Sequence, residues 1–172
     1  MPSIAVTVVG HDRPGIVHRV TAVIAARAGN LEDSSMSLLR GHFAMTLIAD
    51  IPDPDAATLL DADLADLALH GLTVSVVEVP AHEVVAAGVA ATVAVHGADR
   101  PGIVRAATEV VLAFDGNIVD LSTRLGADLY VLTAEVIFPV GTDLDAVRVA
   151  LRTRMAELGV TATLHAADED LL

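Results

Sequence analysis

Two α+β domains in tandem, each a four-stranded antiparallel sheet with two helices, are predicted by three observations on this 172-residue chain. The window GHDRPGIV, Gly10 to Val17, returns as GADRPGIV at Gly97 to Val104, an offset of 87. Sliding Ser3–Pro52 onto Ala90–Pro139 without a gap gives 19 identities in 50 pairs, among them Gly29-Asn30 with Gly116-Asn117, Asp33 with Asp120 and Thr46 with Thr133. In both copies the apolar period switches between that of a strand and that of a helix in the same order.

Ile4-Val6-Val8 and Ala91-Val93-Val95 alternate as half-buried strands do. After the turn the spacing becomes helical, at Ile16, Val20, Val23 and Arg27 and at Ile103, Ala107, Val110 and Phe114. Gly29 and Gly116 are expected to end these helices as C′ glycines. Leu31–Leu39 and Phe43–Ile51, parted by Arg40-Gly41-His42, predict a hairpin, as do Ile118–Leu125 and Leu129–Phe138 around Gly126-Ala127-Asp128. A second helix is expected from Asp53-Pro54 with Leu60, Leu64 and Leu67, and from Thr142-Asp143 with Leu144, Val147, Leu151, Met155 and Leu158. Gly71 and Gly159 close it, and Leu72–Val79 and Val160–His165 form a last strand. The order β-α-β-β-α-β is that of a ferredoxin-like domain with both helices on one sheet face. The expected domains are 1–80 and 89–172, with 81–88 as linker. One copy leaves its other sheet face uncovered, so copies are expected to pair, by edges or by faces.

Composition excludes several function classes. Hydrophobic residues make up 53% and charged residues 19%, the balance of a packed globule. The aromatic residues are Phe43, Phe114, Tyr130 and Phe138, too few for a base-stacking platform. A net charge of −13 with only ten scattered basic residues argues against gripping phosphates, hence against direct binding of nucleic acid. No cysteine is present, which removes disulfides, thiolate metal sites and a Cys nucleophile. MPSIAVTVV lacks a basic n-region, and the longest apolar run, Val84–Val95, is far shorter than the roughly 20 residues of a membrane span. A soluble cytoplasmic protein is expected.

The repeated turn is the candidate site. Pro14 and Pro101 fit position N1 of a helix, where a missing N–H costs nothing. The N–H groups of Gly15 and Gly102 and the residues after them would then face a carboxylate or phosphate at the positive end of the helix dipole. Asp12 and Asp99 could take an ammonium group, so that a zwitterion would be met at both ends, with Arg13 and Arg100 as nearby cations. A purely structural role stands beside this, in which the aspartates only cap bare N–H groups and the glycines ease helix–strand packing.

The β-α-β-β-α-β order, the DRPGIV turn and the Gly-Asn-(Leu/Ile) after the first helix resemble ACT domains, small modules that bind amino acids in metabolic enzymes and regulators. The resemblance covers nearly the whole chain, twice. A stand-alone tandem pair is most similar to the glycine cleavage system transcriptional repressor group, whose members act through a protein partner. The resemblance implies that Asp12 and Asn30, and Asp99 and Asn117, contact the ligand; with the turn residues Arg13, Pro14, Gly15 and Ile16, and Arg100, Pro101, Gly102 and Ile103, they make up the candidate binding residues. It also implies that the ligand sits across an interface between two domains. Ligand-binding members often carry Asn where Asp12 and Asp99 stand.

Enzyme signatures are missing. Neither a phosphate-binding Gly-rich loop nor Gly-x-Ser-x-Gly occurs, and His82-Glu83 lacks a second His at Ala86. His11 and His18 flank the first turn but are replaced by Ala98 and Arg105 in the second copy, so no metal site is expected there. The run Asp50–Asp66 reads as a solvated helix face, and Asp168-Glu169-Asp170 as a frayed tail. The expected function is that of a non-catalytic sensor of a small amino acid, glycine or serine, without a cofactor, signalling through a protein partner or a change of oligomer, with a homodimer expected. A ligand-free interaction module and a small-substrate enzyme are the alternatives.

Overall fold

The computed structural model describes residues 2–80, 87–126 and 129–166. Most of the expected linker, His82-Glu83, two residues of the second hairpin turn and the acidic tail lie outside them. The chain divides into two compact units, Met1–Val84 and Val85–Leu172.

The first unit runs β1 (Ser3–His11), α1 (Ile16–Ala26), β2 (Asn30–Leu39), β3 (His42–Asp50), α2 (Ala56–Leu69) and β4 (Leu72–Val79). The second runs β5 (Gly88–Gly97), α3 (Ile103–Ala113), β6 (Asn117–Leu125), β7 (Tyr130–Pro139), α4 (Leu144–Glu157) and β8 (Thr161–Ala166). The sheets are ordered β2-β3-β1-β4 and β6-β7-β5-β8, with every pairing antiparallel, which is the ferredoxin-like topology. The edge strands β2 and β6 carry a register shift at the same place, between Leu31 and Asp33 and between Ile118 and Asp120.

Strand alternation sends Ile4, Val6 and Val8, with Phe43, Met45, Leu47 and Ala49, into the first core. There they meet Ile16, Val20 and Ile24 of α1 and Leu60, Leu64 and Leu67 of α2. The second core repeats this with Val93, Val95, Leu132, Val136 and Phe138 under Ile103, Ala107, Val110, Val147, Leu151 and Met155. Ile24 completes the buried face of α1, while Arg27 stands at its rim.

The glycines divide their work differently from the expectation. Helices α1 and α3 begin two residues later than Pro14 and Pro101 would require at N1, because the N-caps are Gly15 (φ 93°) and Gly102 (φ 94°) in the left-handed region. A Cβ there would meet nothing within 4 Å, so backbone conformation and not helix–strand packing demands glycine. At the helix ends the reverse holds. The left-handed C′ residues are Ala28 (φ 52°) and Asp115 (φ 55°), and Gly29 and Gly116 follow them. The Gly29 N–H donates to the Ile24 carbonyl and the Ala28 N–H to that of Ala25, which is a Schellman closure with glycine at C″. Space is the reason: a Cβ on Gly29 would lie 2.9 Å from Ile24 Cγ2 and Ile51 Cγ1, and one on Gly116 would lie 2.6 Å from Phe138 Cε1. Gly71 (φ 77°) and Gly159 (φ 68°) are the left-handed C′ residues of α2 and α4.

The second helices differ at their starts. Asp143 caps α4 by accepting from Asp145 N and Ala146 N at 2.9 and 3.1 Å. Helix α2 begins later than Asp53-Pro54 suggests, at Ala56; Asp53 Oδ1 accepts from Asp55 N at 2.9 Å, and the N-cap Asp55 makes no side-chain cap.

Candidate functional site

The two DRPG turns join β1 to α1 and β5 to α3. Asp12 N donates to Gly41 O at 3.1 Å, which ties the first turn to the tip of the β2–β3 hairpin. That tip is a two-residue loop in which Arg40 (φ 50°) and Gly41 (φ 82°) are both left-handed, as a type I′ turn requires. Arg13 Nη1 reaches across to donate to His70 O at 3.3 Å, where α2 exposes its last carbonyls and a cation is favourable.

Neither α1 nor α3 has a side-chain cap, so Asp12 and Asp99 do not cap these helices. The first intrahelical bonds are Arg19 N to Gly15 O and Ala106 N to Gly102 O, both 2.9 Å, which leaves the amides of residues 16–18 and 103–105 as the first-turn donors. Asp12, Pro14, Gly15 and their counterparts Asp99, Pro101 and Gly102 are exposed. Ile16 and Ile103 are core residues, 3% and 2% exposed, so they contribute to a site only through their backbone.

Each turn borders an open depression. The first, about 260 Å³, is lined by Arg13, Pro14, Gly15, Arg19, Asp66 and His70 among others. Arg19 Nη2 lies 2.7 Å from Asp66 Oδ2, while Asp66 Oδ1 is buried without a hydrogen-bond partner. The second, about 570 Å³, is lined by Asp99, Arg100, Pro101, Glu157 and Gly159 among others.

Asn30 and Asn117 do not join these turns within a unit. Asn30 opens β2 and pairs with Asp50, whereas His11, next to Asp12, pairs with His42 at the far end of β3. Eight residues of strand separate the two places, about 27 Å at 3.4 Å per residue. Asn117 pairs with Ile137, seven residues from the Tyr130 that faces Gly97. The Asn30 amide donates to the Glu32 carboxylate beside it.

Two arrangements escaped sequence reasoning. Asp63 and Asp66 are not merely solvated: they face α1 and pair with Arg27 (2.6 Å) and Arg19. The hydrogen bond from Arg27 holds the Asp63 carboxyl below its ordinary value. Hydrogen bonds from Arg105 and Arg154 do the same for Glu109. His11 meets His42 rather than His18. No group of three or more potential metal ligands converges among the described residues, and no helix there is long and apolar enough to cross a membrane.

Residues 3–77 match the ACT domain family. A UPF0237 protein of Methanopyrus kandleri is 42% identical over 57 residues, 33% of this chain and 63% of the relative. Another UPF0237 protein, from Methanocaldococcus jannaschii, is 38% identical over 61 residues, 34% of this chain and 68% of the relative. The chain thus spans about two thirds of the length of these relatives. Among solved structures, an unknown protein from Galdieria sulphuraria is 32% identical with a TM-score of 0.83, covering 96% of this chain and 98% of that one. A candidate glycine cleavage system transcriptional repressor has the same fold, at 18% identity and a TM-score of 0.71 over 96% of this chain and 97% of its own. With the matched fold built once in each half, the chain belongs to the ACT domain family.

Proposed function

We propose that this chain is a non-catalytic cytoplasmic regulator that binds a small amino acid, glycine or serine first, through its two ACT-type domains, 1–80 and 89–172. It then acts on amino-acid metabolism or its transcription through a protein partner. The observation that carries this reading is the pair of uncapped helix starts, each opened by a left-handed glycine and flanked by an exposed Asp and an Arg. Free amides at the positive end of a helix suit a carboxylate, and Asp12 or Asp99 suits the ammonium group. Asn30 and Asn117 lie too far along their own sheets to touch a ligand seated at their own turn. A ligand held by both kinds of residue therefore takes its turn from one domain and its Asn from a second copy of the domain. Such a ligand favours one assembly over another only through unequal affinity for the two. The glycine cleavage repressor that shares the fold supports glycine as first candidate.

A ligand-free interaction module is the second reading, and one observation favours it. The left-handed φ accounts for Gly15 and Gly102 without any ligand.

Thermal unfolding against a panel of amino acids separates the readings. At about 100 times the dissociation constant a ligand adds about 2.7 kcal/mol, a rise of roughly 5–10 °C for a chain of this size. A selective rise that is lost in the Asp12→Ala, Asp99→Ala double variant is the expected result. No rise with any amino acid overturns the sensor and leaves the interaction module.

A further inference from the structure

The far end of the first sheet carries an imidazole pair that the amino-acid reading does not use. Asp12 N donates to the directly opposed Gly41 O, so positions 12 and 41 form a hydrogen-bonded pair of the β1–β3 ladder. His11 and His42 are matched one step along it and are therefore a non-hydrogen-bonded pair, the type that brings side chains closest. Val8, three residues before His11, and Phe43, one after His42, point into the core, and the odd spacing leaves both histidines on the sheet face away from the helices, where they are exposed. Their ring centroids are 5.0 Å apart and the planes are tilted by 32°.

We infer that His11 and His42 form a two-imidazole site for a divalent first-row transition ion of the copper, nickel or zinc class. A ring nitrogen sits about 2.0–2.1 Å from such an ion, so two imidazoles in tetrahedral or right-angled positions have centroids about 4.5–5.2 Å apart. The observed 5.0 Å falls inside that window with the backbone already in place. Imidazole is the ligand these ions share, and the formal charge of −13 draws cations to the whole molecule. With no third protein ligand converging among the described residues, the remaining coordination positions belong to water or a small ligand. The site is exclusive to the first half: Ala98 and Leu129 stand at the corresponding places, 87 residues on.

Titration of the untagged protein with Cu2+ and with Zn2+, read by calorimetry and by nitrogen hyperfine splitting in the copper spectrum, tests the site. One ion per chain is expected, with Cu2+ bound more tightly than Zn2+. Losing even an outer-shell partner weakens metal binding about 10–100-fold, so His11→Ala or His42→Ala should each weaken it by at least about tenfold. His18→Ala should leave it unchanged. Both substituted rings are exposed, so unaltered circular dichroism is expected in each variant. Absence of saturable binding, or binding that survives both His11→Ala and His42→Ala, would overturn the inference.

Discussion

The two halves share a backbone and disagree about charge. Gly15 and Gly102 have φ of 93° and 94°, Ala28 and Asp115 of 52° and 55°, and β2 and β6 shift register at the same residue pair. Between the helices the polarity is reversed. In the first half α1 supplies Arg19 and Arg27 to Asp66 and Asp63 of α2, whereas in the second α3 supplies Glu109 to Arg154 of α4. Exposed Arg19 has buried Ala106 as its counterpart. Duplicated domains thus retain what steric clashes dictate and let solvated charges drift, because an exposed ion pair contributes little and either polarity serves.

The largest effect that would test this likeness is at the C″ glycines. Gly29→Ala and Gly116→Ala should each destabilise by about 1–3 kcal/mol through overpacking, measured by urea unfolding. Gly116→Ala should be the worse, since its Cβ meets the rigid Phe138 ring at 2.6 Å while that of Gly29 meets isoleucine side chains at 2.9 Å. Equal costs would mean that Phe138 yields as easily as Ile24 and Ile51.

Next comes the turn. Gly15→Ala and Gly102→Ala should each cost about 1–2 kcal/mol for a left-handed residue with a Cβ, and the two should agree because the φ values do. A substitution that costs nothing at either turn would show that the turn relaxes, and would remove the conformational reason for its glycine.

The smallest effect concerns the reversed charges. Because Asp63 and Glu109 have folded-state pKa values below their ordinary ones, their contribution is present above about pH 4 and is lost as pH falls through and below the ordinary carboxylate range. Stability measured from pH 6 to pH 2 should fall less steeply in Asp63→Asn and in Glu109→Gln than in the parent, and salt should shrink the difference. Arg27→Asp combined with Asp63→Arg, which gives the first half the polarity of the second, should recover what either single change loses. Failure of that rescue would mean that the surrounding helix surface has become specific to one polarity.

Much of this was legible along the chain. The element order and both sets of strand positions followed from alternation, since burial of one sheet face imposes a period of two whatever the partner. The roles of individual glycines did not follow. DRPG reads as Pro at N1, yet the helix starts later because Gly15 takes a left-handed φ that only the completed turn requires. Gly29 reads as a C′ residue, yet its reason is the space left by Ile24 and by Ile51, the latter more than twenty residues away. At the site, the turn residues stood together in the sequence, but the roughly 27 Å of β3 between the positions paired with His11 and with Asn30 comes from antiparallel register.

The sequence by itself determined that the chain is one β-α-β-β-α-β unit built twice, and that a DRPG turn opens the first helix of each. Those are consequences of local period and of repetition. Only the tertiary structure decided which glycine answers to space and which to φ, that Asp63 and Asp66 face arginines, and that His11 stands against His42 rather than His18. Each of these depends on strands and helices meeting across tens of residues, where contact is set by register and packing and not by distance along the chain.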